Sequence, residues 1–135
     1  MKVDGACHCG RITYEAEVDP AKVVLCHCTD CQTLSGTAFR TVVPAPAAGF
    51  RLLSGRPKTY LKTAESGNQR LQAFCGDCGT PIYSAAPVDT PAYSLRAGGL
   101  RQRAELRPNS QIWARSMRDW VKGIAALPQV PKQPG

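Results

Sequence analysis

Seven cysteines confined to three short stretches constrain this chain more than any other feature of its 135 residues. They fall in Cys7-His8-Cys9-Gly10, in Cys26-His27-Cys28-Thr29-Asp30-Cys31 and in Cys75-Gly76-Asp77-Cys78-Gly79. Thiols two or three residues apart let neighbouring sulfurs reach one ion at Zn–S distances of about 2.3 Å, whereas disulfides need no such clustering. An odd cysteine count also fits a disulfide framework poorly. The opening Met1-Lys2-Val3-Asp4-Gly5 lacks the apolar core of a secretory signal, and no run approaches the roughly 18 apolar residues that span a bilayer. The expected compartment is therefore the cytoplasm, where thiols stay reduced and available for metal.

The cysteines are expected to divide four and three. Cys7/Cys9 and Cys75/Cys78 each end in a glycine that permits a tight turn, and together they supply the four ligands of a closed, structural zinc. Cys9 and Cys75 lie 66 residues apart, so that ion would close a long loop. Cys26, Cys28 and Cys31 would hold a second zinc with its fourth position open, which is how catalytic zinc sites are built; an oxidised Cys28–Cys31 pair is the alternative. His8 and His27, each wedged between two cysteines, are expected to be exposed or to support the site without ligating, and Asp30 and Asp77 to be turn residues.

Three thiolates on a dication leave a centre at −1, which polarises water less than three neutral imidazoles would. Hydrolysis by a metal hydroxide is disfavoured, and a thiol held as its thiolate suits the soft centre better. The formal net charge of +7 would fall to +4 with all seven cysteines ionised around two dications. That balance suits a small anionic substrate, and the absence of any run of five Lys or Arg argues against nucleic acid as the partner. Arg11, Arg40, Lys62 and Arg70 are candidate cations for such a substrate, each with an ordinary surface role as the competing assignment.

Ile12, Tyr14, Ala16 and Val18 alternate as one face of a half-buried strand. Val23-Val24-Leu25 leads into the central cysteines, where Thr29 is expected to cap a helical turn carrying Cys31 and Leu34 and ended by Gly36. Residues 38–43 read as a strand broken by Pro44-Ala45-Pro46. Residues 50–53 and 59–62 read as a hairpin around Ser54-Gly55-Arg56-Pro57, and 64–68 as an exposed polar turn. Further strands are expected at 70–74, 81–84, 92–96 and 111–116, the last with Ile112 and Trp113 buried. Residues 117–127 are the candidate for a helix, and 128–135 for a loosely held tail after a single domain over 1–127. Short strands, glycine turns and little helix predict an all-β fold clipped by metal.

Gly5-x-Cys7-x-Cys9-Gly10-x-Ile12-x-Tyr14, Cys26-His27-Cys28-x-x-Cys31 and Phe74-Cys75-x-x-Cys78-Gly79-Thr80, in that order, resemble the glutathione-dependent formaldehyde-activating family, which also contains centromere protein V. The late Ile112, Trp120 and Leu127-Pro128 are similar to its closing segment. The resemblance implies a β-tent fold and the same division of ligands between two zincs. The activity it implies is that of a carbon–sulfur lyase, condensing glutathione with formaldehyde to S-hydroxymethylglutathione. Gln32 stands where the family often has a basic residue. A non-catalytic zinc-stabilised module that binds protein or nucleic acid is the alternative, and a redox or metal-buffering thiol site is a third.

Overall fold

The computed structural model describes residues 1–134 as two β-sheets facing each other across one apolar core. The all-β expectation holds. Strands β1 (Lys2–Ala6), β2 (Thr13–Glu17) and β5 (Arg51–Ser54) form the smaller sheet in the order β1-β2-β5. The larger sheet takes β3 (Val24–Cys26), β4 (Arg40–Pro46), β6 (Lys58–Thr63), β7 (Gln69–Phe74), β8 (Pro81–Ala85), β9 (Ala92–Arg96) and β10 (Ser110–Ile112). Its order is β10-β3-β4-β9-β8-β7-β6, antiparallel throughout except that β10 runs parallel to β3.

Alternation decides what each sheet buries. In and beside β2, Ile12, Tyr14, Ala16 and Val18 are all buried, as their period requires. Across the larger sheet, Val43 faces Leu95, Leu95 faces Tyr83 and Tyr83 faces Ala73, so these apolar residues share the inner face. Phe50 stacks on Tyr93 at 4.4 Å and meets Tyr83 edge-on at 5.6 Å, filling the space between the sheets.

Two local readings give way to tertiary pairing. Residues 51–54 and 58–63 do not form a hairpin: β5 pairs with β2 and β6 with β7, so the Gly55–Pro57 link crosses between sheets. A hairpin pattern in sequence cannot distinguish local from distant partners. Pro44 and Pro46 do not end β4, which continues through both against β9. β3 covers only Arg40 to Val42 on the other side, so β4 has lost that neighbour where its prolines lack amide donors. The one α-helix among the described residues, α1 (Thr29–Ser35), is the short turn expected around Cys31, and residues 119–126 form 3-10 turns with no buried side chain.

Gly55 shows how tightly the crossing is built. Its φ of +74° is in the left-handed region, and a Cβ there would press on the Arg11 carbonyl oxygen and come within 2.9 Å of Ile12 Cγ1. Gly55→Ala is expected to cost about 2–3 kcal/mol from the combined backbone strain and overlap. Denaturant midpoints check this, and a loss under about 0.5 kcal/mol would show that the link can shift.

Candidate metal centres

The two glycine-ended cysteine pairs each occupy a turn between neighbouring strands, one between β1 and β2 and the other between β7 and β8. In the first, Gly10 N–H donates to the Cys7 carbonyl; in the second, Gly79 N–H donates to the Cys75 carbonyl, with φ of +82° and +81° at the two glycines. These turns bring all four sulfurs together, Cys7 Sγ lying 3.5 Å from Cys9 Sγ and Cys9 Sγ 3.7 Å from Cys75 Sγ. Four sulfurs about 2.3 Å from a central ion would be about 3.8 Å apart, so the spacing is that of a thiolate tetrahedron. It is far too long for a disulfide, and all seven cysteines are free.

Neighbouring donors reach three of the four sulfurs. Ile12 N–H points at Cys7 Sγ (3.3 Å) and Cys78 N–H at Cys75 Sγ (3.5 Å), while the Thr80 hydroxyl 3.2 Å from Cys78 Sγ pulls that thiol down to about 5. Thr80 also accepts the backbone N–H of His8, whose side chain is exposed. The cluster joins the smaller sheet to the larger one.

The second cluster gathers Cys26, at the end of β3, with Cys28 and Cys31 on the first turn of α1. Cys28, rather than Thr29, caps that helix, its Sγ accepting the Cys31 N–H at 3.2 Å. Gly36 ends it in the left-handed conformation, as the sequence indicated. Hydrogen bonding from Cys31 draws the Cys26 thiol down to about 5 despite burial, and the same interaction pushes Cys31 up. Three sulfurs this close cannot all ionise unaided, because each negative charge suppresses the next. A soft dication removes that obstacle. Both donor sets fit a metal ion, and all-sulfur ligation is consistent with zinc.

His27 is not exposed. Its ring is fully buried against the edge of Phe39, and Nε2 pairs with Gln111 Oε1 at 2.8 Å, so it ties the link between β3 and α1 to β10 and is outside the sulfur group. Gln32 donates through Nε2 to the carbonyls of His27 (2.8 Å) and Ser116 (3.0 Å), tying α1 to the segment after β10. Asp30 and Asp77 remain outside both sulfur groups, Asp30 paired with Lys62 at 2.8 Å and Asp77 with Arg11 at 3.5 Å.

On one side the three sulfurs line a chamber of about 190 Å³ on the outer face of the larger sheet. Strand register explains its walls. Cys26 faces Arg40, Val42 faces Arg96, Ser94 faces Ser84 and Ser84 faces Gln72, so these residues share a face opposite the core. Arg70 and Lys62, paired on β7 and β6, continue it. Of the candidate cations, Arg70 and Lys62 therefore line the chamber and Arg40 stands on its face, whereas Arg11 is on the surface away from it with Asp77. Arg96, Gln72, Ser84 and Ser94 escaped the sequence reading. The available signal, polar residues alternating with apolar ones in Arg70-Leu71-Gln72-Ala73 and Ser94-Leu95-Arg96, reads equally well as a solvent face.

Ile112 and Trp113 are not buried, being 44% and 42% exposed beside the sulfurs. Ile112 pairs with Cys26, and Trp113, at φ +55°, turns the chain beside the chamber, where the Arg115 guanidinium lies 5.1 Å from its ring centre.

The model of the family described as glutathione-dependent formaldehyde-activating enzyme matches residues 2–116, a span that includes both cysteine clusters. A solved structure of a Rhodobacter sphaeroides protein is similar with a TM-score of 0.62 at 20% identity, covering 80% of this chain and 98% of that one. At that identity the likeness is one of fold.

Proposed function

This chain belongs to the family of glutathione-dependent formaldehyde-activating enzymes, and from that premise we propose that it is a zinc-dependent carbon–sulfur lyase. It would form or break the adduct of a small thiol, such as glutathione, with a small aldehyde, S-hydroxymethylglutathione being the simplest product. The observation that carries this reading is the convergence of Cys26, Cys28 and Cys31 on a chamber lined by cations and hydroxyls.

In this proposal Cys7, Cys9, Cys75 and Cys78 hold a structural zinc, and Cys26, Cys28 and Cys31 hold the second. Bound there, that ion would keep a substrate sulfur in its nucleophilic thiolate form. The protein's own groups do the rest. The hydroxyls of Ser84 and Ser94 can donate to a carbonyl oxygen as it turns anionic while the C–S bond forms, and the arginines on the same wall keep the surroundings positive. Ile112, Trp113 and Leu34 give the chamber an apolar rim. Free thiols throughout suit a reducing compartment such as the cytoplasm, and no helix among the described residues is long and apolar enough to cross a membrane.

The test is the exchange rate between formaldehyde, glutathione and their adduct, followed by NMR with zinc-loaded protein and with protein stripped of metal. The loaded protein is expected to accelerate exchange at least tenfold over the spontaneous reaction, with two zincs per chain by elemental analysis. Exchange at the spontaneous rate with two zincs bound would remove the lyase assignment.

A further inference from the structure

The charge beside the three sulfurs exceeds what the sulfurs require. Arg40 and Arg96 are 7% and 9% exposed, and Arg70 is half-buried. Buried guanidinium groups ordinarily face carboxylates. Here their side-chain partners are neutral: Gln72 Oε1 accepts from Arg96 Nη2 at 2.8 Å and from Arg40 Nη1 at 3.4 Å, and Ser84 Oγ accepts from Arg70 Nη2 at 3.4 Å. The Nε groups of Arg40 and Arg96 are buried with no partner, and none of the three arginines joins a salt bridge among the described residues. Burial, and then repulsion from Arg40, lower Arg96 to about 9.

The thiolates answer only part of this. Three of them around a dication carry a single negative charge, against three positive charges from the arginines. Lys62 brings no net surplus, since Asp30 neutralises it. Two positive charges are left without a counter-charge on a wall shared with the sulfurs.

Building on the lyase reading, we propose that this wall is an oxyanion seat that takes a carboxylate of the substrate, Arg96 and Arg70 gripping it and Arg40 reinforcing the charge behind Gln72. Guanidinium forks match carboxylate geometry, and the hydroxyls of Ser84 and Ser94 supply further donors. The size of the chamber narrows the ligand. At about 190 Å³ it falls below the roughly 300–1,000 Å³ of pockets that enclose drug-sized molecules. It admits the carboxylate-bearing end of a larger thiol or the whole of a short oxo acid. Formaldehyde alone would leave the seat's charge unanswered, so either the thiol or the carbonyl partner brings the carboxylate.

Calorimetric titration of the zinc-loaded protein separates these sources without turnover. One probe is S-methylglutathione, which has carboxylates but no free thiol; the other is glyoxylate, which joins an aldehyde to a carboxylate. Each is compared with its methyl ester. Saturable binding of S-methylglutathione assigns the carboxylate to the thiol, and saturable binding of glyoxylate assigns it to the carbonyl partner. In either case the ester, Arg96→Met and Arg70→Met are expected to weaken binding at least tenfold with zinc content unchanged. Ligand-free Arg96→Met is also expected to unfold at a higher temperature than wild type, since it removes a buried unpaired charge. An arginine kept for structure alone would give the opposite shift. Failure of both probes to bind, equal binding of the esters, or loss of zinc in place of ligand in the arginine variants overturns the seat. A protein without lyase activity that shows the expected binding keeps the seat and loses the lyase; an active lyase whose variants bind normally does the reverse.

Discussion

Cys75→Ala is expected to destabilise the zinc-loaded protein by about 4–5 kcal/mol or more, the largest effect of any single side-chain truncation in the chain. Cys75 is 2% exposed and belongs to the apolar core as well as to the four-sulfur group, so its replacement removes both packing and a ligand. The larger loss would come from the ion. Held by four thiolates, it would tie the β1–β2 turn to the β7–β8 turn across the 66-residue span from Cys9 to Cys75, and because it would bind the folded chain and leave the unfolded one, its binding free energy would add to folding stability. Three remaining ligands would hold it far more weakly. Denaturant unfolding with parallel zinc analysis checks the claim: wild type should release metal only as it unfolds, and a chelator should lower its midpoint towards that of the variant. A destabilisation below about 1 kcal/mol, no more than a small cavity would cost, would mean that the sheets hold together without the ion.

Cys31→Ala is expected to behave in the opposite way, abolishing adduct exchange while leaving the fold nearly intact. Its sulfur faces the chamber on the outer side of the larger sheet, and no residue of α1 is buried. The expected change in stability is within about 1 kcal/mol. Activity should fall more than about 100-fold, beyond the usual cost of altering only a supporting partner of a metal ligand. Zinc should fall from two per chain to one. The helix should survive, because its N-cap bond uses the Cys31 backbone N–H and the Cys28 sulfur, neither of which the substitution removes. Full exchange activity in this variant would place the chemistry elsewhere.

The contrast between these variants also marks what could be read without a structure. Chelating spacings are local: Cys7/Cys9, Cys75/Cys78 and Cys26/Cys28/Cys31 sit close enough in sequence that a single turn brings each set to one point. Gly10 and Gly79 mark two of those turns. The β2 alternation and the end of α1 at Gly36 were legible for the same reason, since period and capping are properties of a few consecutive residues. Local signals failed where partners were distant. β5 and β6 resembled a hairpin until their true neighbours, β2 and β7, were known, and Pro44 and Pro46 suggested a break until β3 proved too short to need their amides. Ile112 and Trp113 looked like core residues until β10 placed them beside Cys26.

The sequence by itself determined that this chain gathers its sulfurs into two close pairs and one close triplet, because chelation depends on ligands a few bonds apart along the backbone; the meeting of the two pairs, 66 residues apart, as one set of four is the work of the two sheets. Only the tertiary structure decided what those sulfurs face. Arg96, Gln72 and Ser84 are on three different strands, and a shift of register by one residue would turn each towards the core. Their meeting beside Cys26 follows from how β3, β4, β9, β8 and β7 align, which no short stretch of the chain encodes.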